Sequence, residues 1–150
     1  MHDVRALQKR LEDVSLNAKW IPREAVAHFG LALPDDVDAL PYLDMTVSQD
    51  GRQPYVTYSG DLVALTSDGV LVELSYLTDD VQPVRVRPLR GRVSDIELAY
   101  DPEAAEHDRV PAHALRVTLT NGHERITLPL TQRREAADFL LPILAALVGG

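Results

Sequence analysis

The chain has 150 residues, 45% apolar and 25% charged, with a formal net charge of −8. That length suits one domain with a real core, and the composition is that of a globular chain. Cysteine is absent, which excludes disulfides and thiolate metal sites.

Residues 3–17 read as a helix. Asp3 can cap it, and Val4, Leu7, Leu11 and Val14 fall on one stripe at spacings of three and four. Pro22 and Gly30 bracket a second, short helix with Ala25, Val26 and Phe29 on its buried side. Residues 34–40 form a polar connection with room for one more helical turn. From Tyr42 the period changes to two. Strands are expected near 43–48 and 55–59 around an Asp50-Gly51 turn, then at 61–66 and 70–77 around Ser67-Asp68-Gly69. Ser59-Gly60-Asp61 and Asp79-Asp80 read as turns. Further strands follow at 84–88 and 92–100, then an irregular loop over 101–112. A last hairpin pairs 114–120 with 124–130. Its Asn121-Gly122 turn is the strongest hairpin signal in the chain, because both positions must tolerate positive φ. Gln132 to Val148 closes the chain as a helix between Thr131 and Gly149. Ala136, Phe139, Leu140, Ile143, Leu144 and Leu147 form its apolar face, and Pro142 should kink it.

The order of these elements, many short antiparallel strands and then one amphipathic helix, resembles a bacterial pleckstrin-homology-like (PH-like) domain over residues 43–148. Leu62-Val63-Ala64-Leu65-Thr66-Ser67-Asp68-Gly69-Val70-Leu71-Val72 is similar to that family's second hairpin. Arg87-Pro88-Leu89 through Val93-Ser94-Asp95-Ile96-Glu97 is similar to a later strand, and Ile126 to Leu147 to its final strand and helix. The resemblance implies a mainly β fold with flanking helices. Its core is a partly open antiparallel barrel of about seven strands, capped by the C-terminal helix. Residues 1–42 precede it as an N-terminal helical extension, and 43–150 make the barrel and helix, in one compact domain overall. The family's members are mostly binding and scaffolding modules. Its phosphoinositide-binding members carry a basic cluster in the first hairpin loop. The loops here, Gln49-Asp50-Gly51-Arg52 and Ser67-Asp68-Gly69, are neutral or acidic, so lipid binding does not carry over.

Charge is uneven along the chain. Residues 1–42 hold five Lys/Arg and seven Asp/Glu, residues 43–80 one and seven, and residues 81–150 nine of each. An acidic middle third repels phosphate backbones and anionic lipid, so no nucleic acid is expected as a partner. The longest apolar run falls far short of a membrane span, so no stable membrane insertion is expected either. Residues 1–20 lack the apolar core of a signal peptide. The cytoplasm is the expected compartment, and the preference for Arg over Lys points to a high-GC bacterial source.

Arg85, Arg87, Arg90 and Arg92 form the one dense cationic cluster in the sequence. Alternation puts Arg85 and Arg87 on one strand face, and guanidinium forks suit carboxylates, phosphates or an acidic partner. A solvated face paired with the acidic 61–80 hairpin is the plainer reading. Glu106, His107, Asp108, His113, His123 and Glu124 are ligand-type residues, but none falls at a metal-binding spacing, so no metal and no cofactor are expected. No nucleophile elbow or phosphate-cradling glycine loop is present, and no catalytic residue is assigned. The stripe of Val4, Leu7, Leu11 and Val14, with Trp20 after it, packs on its own barrel or offers an interface to a protein partner or a second copy. The expected function is a non-catalytic protein-interaction or scaffolding module, not an enzyme. One alternative is an acidic immunity-type protein neutralising a basic toxin. A second is a small-ligand carrier or enzyme using the barrel mouth.

Overall fold

The computed structural model describes residues 3–51, 55–78, 80–100, 115–130 and 134–148. They make a mainly β chain with helices before and after the strands. The described strands form two antiparallel sheets and no closed barrel. The chain divides into two compact units. The first is Met1–Thr66 with Leu71–Arg87, and the second is Ser67–Val70 with Pro88–Gly150.

The first unit opens on α1 (Val4–Val14), capped where Asp3 Oδ1 accepts the Arg5 N–H at 2.9 Å. The helix stops three residues earlier than its periodicity suggests. Ser15 turns extended and its hydroxyl accepts the Asn17 N–H at 3.2 Å, which tightens Leu16–Trp20 into a 3₁₀ helix. α2 (Arg23–Leu31) follows Pro22, and a 3₁₀ turn spans Val37–Ala39. Leu7, Leu11, Ala25, Val26 and Phe29 are fully buried, so residues 1–42 share a core with the first sheet.

That sheet contains β1 (Tyr42–Met45), β2 (Ser48–Asp50), β3 (Thr57–Leu65), β4 (Val70–Leu77), β5 (Asp80–Val81) and β6 (Arg85–Pro88). β1 and β2 both pair with β3, Met45 facing Leu62 and Ser48 facing Ser59, so one register continues through both. Here the structure corrects the sequence reading. Ser59-Gly60-Asp61 is no turn but the middle of β3, paired with Ser75, Tyr76 and Leu77 of β4. A Cβ at Gly60 would lie 1.8 Å from the Thr46 carbonyl oxygen and 2.8 Å from the Tyr76 hydroxyl. The glycine marks a close backbone approach within a strand. Tyr76 Oη uses that space to donate to the Thr46 carbonyl at 3.0 Å. Asp80, likewise read as a turn, pairs with Leu77 in β5; Asp79 lies outside the described residues. In β4 Val72, Leu74 and Tyr76 are buried on the expected face, whereas Val70 is half-buried and Leu71 on the other face is buried as well. Each fully buried Leu or Phe contributes about 1.5–3 kcal/mol.

The second unit holds β7 (Asp95–Tyr100), β8 (Leu115–Asn121), β9 (Glu124–Leu130) and α3 (Arg134–Leu147). Ile96 faces Leu119, which faces Ile126, and Leu98 faces Val117, which faces Leu128. Val117, Leu119 and Leu128 are buried. On the opposite face Arg125 pairs with Glu97 at 2.6 Å. Gly122 has φ +64, as the Asn-Gly turn requires. Leu140, Leu144 and Leu147 of α3 are buried, and Pro142 lies exposed within the helix. The Val93 N–H reaches the Leu147 carbonyl at 2.9 Å. The Ser67–Val70 turn belongs to this unit, and the Leu89 N–H donates to the Gly69 carbonyl at 2.8 Å. A Cβ at Gly69, whose φ is +78, would stand 2.7 Å from Leu147 Cδ2. Thr131, Gly149 and the side chains of Ala136 and Phe139 lie outside the described residues. No helix among the described residues is long and apolar enough to cross a membrane.

Candidate binding surface

The four arginines of the sequence cluster do not share one setting. Arg85 and Arg87 lie on β6 in the first unit, whereas Arg90 and Arg92 belong to the second. The expected strand 92–100 begins only at Asp95. Arg90 and Arg92 stand in a tight turn instead, closed by Arg92 N–H to the Leu89 carbonyl at 2.9 Å and turned by Gly91 at φ +70. Arg87 is partly buried and its Nη2 donates to Glu73 Oε1 on β4. Arg85 is exposed and borders a shallow groove of about 340 Å³ with Glu73, Ser75, Gln82 and Pro83.

The N-terminal stripe divides by depth. Leu7 and Leu11 are inaccessible to solvent, and Val4 and Val14 are half-buried. Trp20, the chain's one tryptophan, is 45% exposed. It lies parallel to Tyr58 of β3, ring centroids 5.1 Å apart at an interplanar angle of 5°. The Lys19 ammonium stands 5.0 Å over its ring. Tyr58 is held in turn by Thr78, whose hydroxyl accepts the Tyr58 N–H at 2.6 Å. A large aromatic is thus presented to water in one fixed orientation, by a neighbouring ring and a neighbouring cation.

Beside it lies a surface groove of about 370 Å³ that the sequence reading missed. Val4, Arg5, Gln8, Lys9 and Glu12 of α1 line one side, and Lys19, Ile21 and Arg23 the other. Lys9 and Lys19 are the only lysines in the chain. Arg5, Lys9, Lys19 and Arg23 are all exposed, and among the described residues none has a carboxylate within ion-pair distance. Glu12, the one acid on the wall, accepts from Gln8 Nε2 at 3.3 Å, and the same amide donates to the Ala18 carbonyl at 3.1 Å. Gln8 thereby ties α1 to the 3₁₀ helix and fixes the width of the groove.

Titratable groups deeper in the first unit are structural. Burial, then the nearby Asp44 carboxylate, pushes the Tyr42 hydroxyl well above its ordinary value. Burial likewise raises the Asp44 carboxyl, against the Met45 N–H (2.7 Å) and the Tyr42 hydroxyl (3.2 Å) that favour its charge. Tyr76 is pushed up to about 12, by burial and then by Asp61. Both tyrosines serve as hydrogen-bond donors at neutral pH.

Among the described residues no group of three or more His, Asp or Glu could hold a metal ion. His123 is exposed beside its turn, and Glu106, His107, Asp108 and His113 lie outside the described residues. No family model matches the chain, and no curated protein or solved structure does either.

Proposed function

We infer that the chain is a non-catalytic protein-interaction or scaffolding module of PH-like type, acting in the cytoplasm. The order of elements supports the fold reading. An antiparallel sheet around β3 and β4 comes first, then the three strands β7, β8 and β9, and then α3. The observation that carries the functional reading is Trp20, stacked on Tyr58, capped by Lys19 and still 45% exposed. Tryptophan and tyrosine are enriched where binding energy concentrates at protein interfaces. An aromatic already fixed in place loses little side-chain freedom on binding.

The test is cross-linking of the full chain in its native host through a photoreactive group at Leu16, which is 82% exposed four residues before Trp20. The expected result is one stoichiometric protein adduct that Trp20→Ala abolishes. A small-molecule adduct, or a protein adduct indifferent to Trp20→Ala, overturns the reading. The exposed cations near Trp20, without an ion-pair partner among the described residues, favour an acidic partner, which weighs against the alternative in which the chain neutralises a basic toxin.

A further inference from the structure

We propose that the groove between α1 and the Leu16–Arg23 segment is a docking site for a short acidic peptide segment of a partner protein. The inference rests on the protein-interaction reading and names the chemistry that this surface recognises.

The groove breaks the electrostatic rules of its own helix. Arg5 and Lys9 are four residues apart on α1, so they are neighbours on one face, and like charges at that spacing are unfavourable. Arg5 also sits in the first turn, which contains no acid, at the positive end of the helix. Lys19 and Arg23 then bring two more cations to the same cavity. In a chain with eight more acids than bases, four bases line this cavity with a single acid, and that acid is engaged by Gln8. An anionic occupant relieves the repulsion among the four cations, none of which has an ion-pair partner among the described residues.

The lining of the groove favours a peptide over other anions. Val4 and Ile21 give the groove an apolar floor, with Ile21 only 5% exposed, and Lys19 on its wall stands over Trp20. Carboxylates interspersed with apolar side chains match that surface. A volume of about 370 Å³ holds a few side chains, at the small end of ligand sites. A nucleic acid or an anionic membrane presents an extended field of negative charge, which the net charge of −8 opposes. A short segment meets the four cations alone.

The experiment titrates the intact chain with a short synthetic peptide of alternating Glu and Leu and with its Gln-Leu counterpart. Trp20 emission is followed, with calorimetry alongside. The expected result is saturable binding of the Glu-Leu peptide and none of the Gln-Leu peptide. Lys9→Gln with Lys19→Gln should weaken binding about tenfold, with an unchanged melting temperature as the folding control. Arg116→Gln, on the exposed face of β8, should leave it unchanged. Raising salt from about 0.05 to about 0.5 M should weaken it further. The proposal is overturned if the acidic peptide does not bind, or if the double variant binds it equally well. It is also overturned if phosphatidylserine vesicles or a single-stranded oligonucleotide bind the groove more tightly than the peptide. Wild-type dimers that the double variant dissolves would make a second copy the occupant and overturn it as well. A stoichiometric adduct in the host combined with an inert peptide removes the groove assignment alone, whereas failure of both removes the functional reading too.

Discussion

Two sets of four cations behave in opposite ways. Arg85, Arg87, Arg90 and Arg92 are neighbours in sequence, yet a strand, a turn and the boundary between units divide them, and Arg87 is tied to Glu73. Arg5, Lys9, Lys19 and Arg23 spread over nineteen residues, yet they line one groove, and among the described residues none has an ion-pair partner. Proximity along the chain does not gather the first set, because β6 ends at Pro88 and Arg90 and Arg92 fall in the turn that follows. Helical spacing combined with a tight reversal gathers the second. A dense run of charge is therefore a poor guide to a site, and a dispersed set on helices is a better one.

The largest blow to this contrast is expected from Leu11→Ala. Leu11 is inaccessible beneath the α1 side of the groove, and its truncation should cost about 2–5 kcal/mol in denaturant unfolding. The groove should be lost with it. Glu73→Ala should cost less, about 1–2 kcal/mol, because the Arg87 pair is only partly buried. It should leave binding of the acidic peptide intact, which separates the two cationic sets by function.

Asp44→Asn sharpens the comparison through pH. The folded chain holds the Asp44 proton more tightly than the unfolded chain does, since burial raises that carboxyl above its ordinary 3.8. Its contribution to stability is therefore fully present below that value and is lost as pH rises through the raised one. The Asn variant should match or exceed wild type at pH 7, by under about 1 kcal/mol. The gap should narrow below pH 4 in melting curves. Lys9→Gln should have the smallest effect, under about 0.5 kcal/mol in chemical denaturation, because relief of its repulsion with Arg5 is offset by loss of its favourable spacing to Glu12 and Asp13. A residue whose removal spares the fold while weakening binding serves function rather than stability.

Much of the fold was legible because burial sets a period. The strands at 70–77 and 124–130, the Asn121-Gly122 turn and the α1 stripe all lie where alternation or helical spacing puts them. Gly60 misled because a turn glycine and a close-approach glycine look alike in sequence. Only the Thr46 carbonyl and the Tyr76 hydroxyl, fourteen and sixteen residues away, distinguish them. The groove stayed hidden for a similar reason. Arg5 and Lys9 alone read as a solvated helix face, and nothing local announces that Ser15 tightens the chain and brings Lys19 and Arg23 to the same cavity. The like-charge spacing of Arg5 and Lys9 was the one signal available.

The meeting of Gly69 with Leu147 has a consequence for how the protein comes into being on a ribosome. Gly69 and Val93 find these neighbours only in a stretch of α3 made 78 and 54 residues after them. The second unit cannot close while α3 is still in the exit tunnel. Until then its apolar strands are unguarded, and nascent chains halted before Leu147 should be the ones that chaperones hold longest.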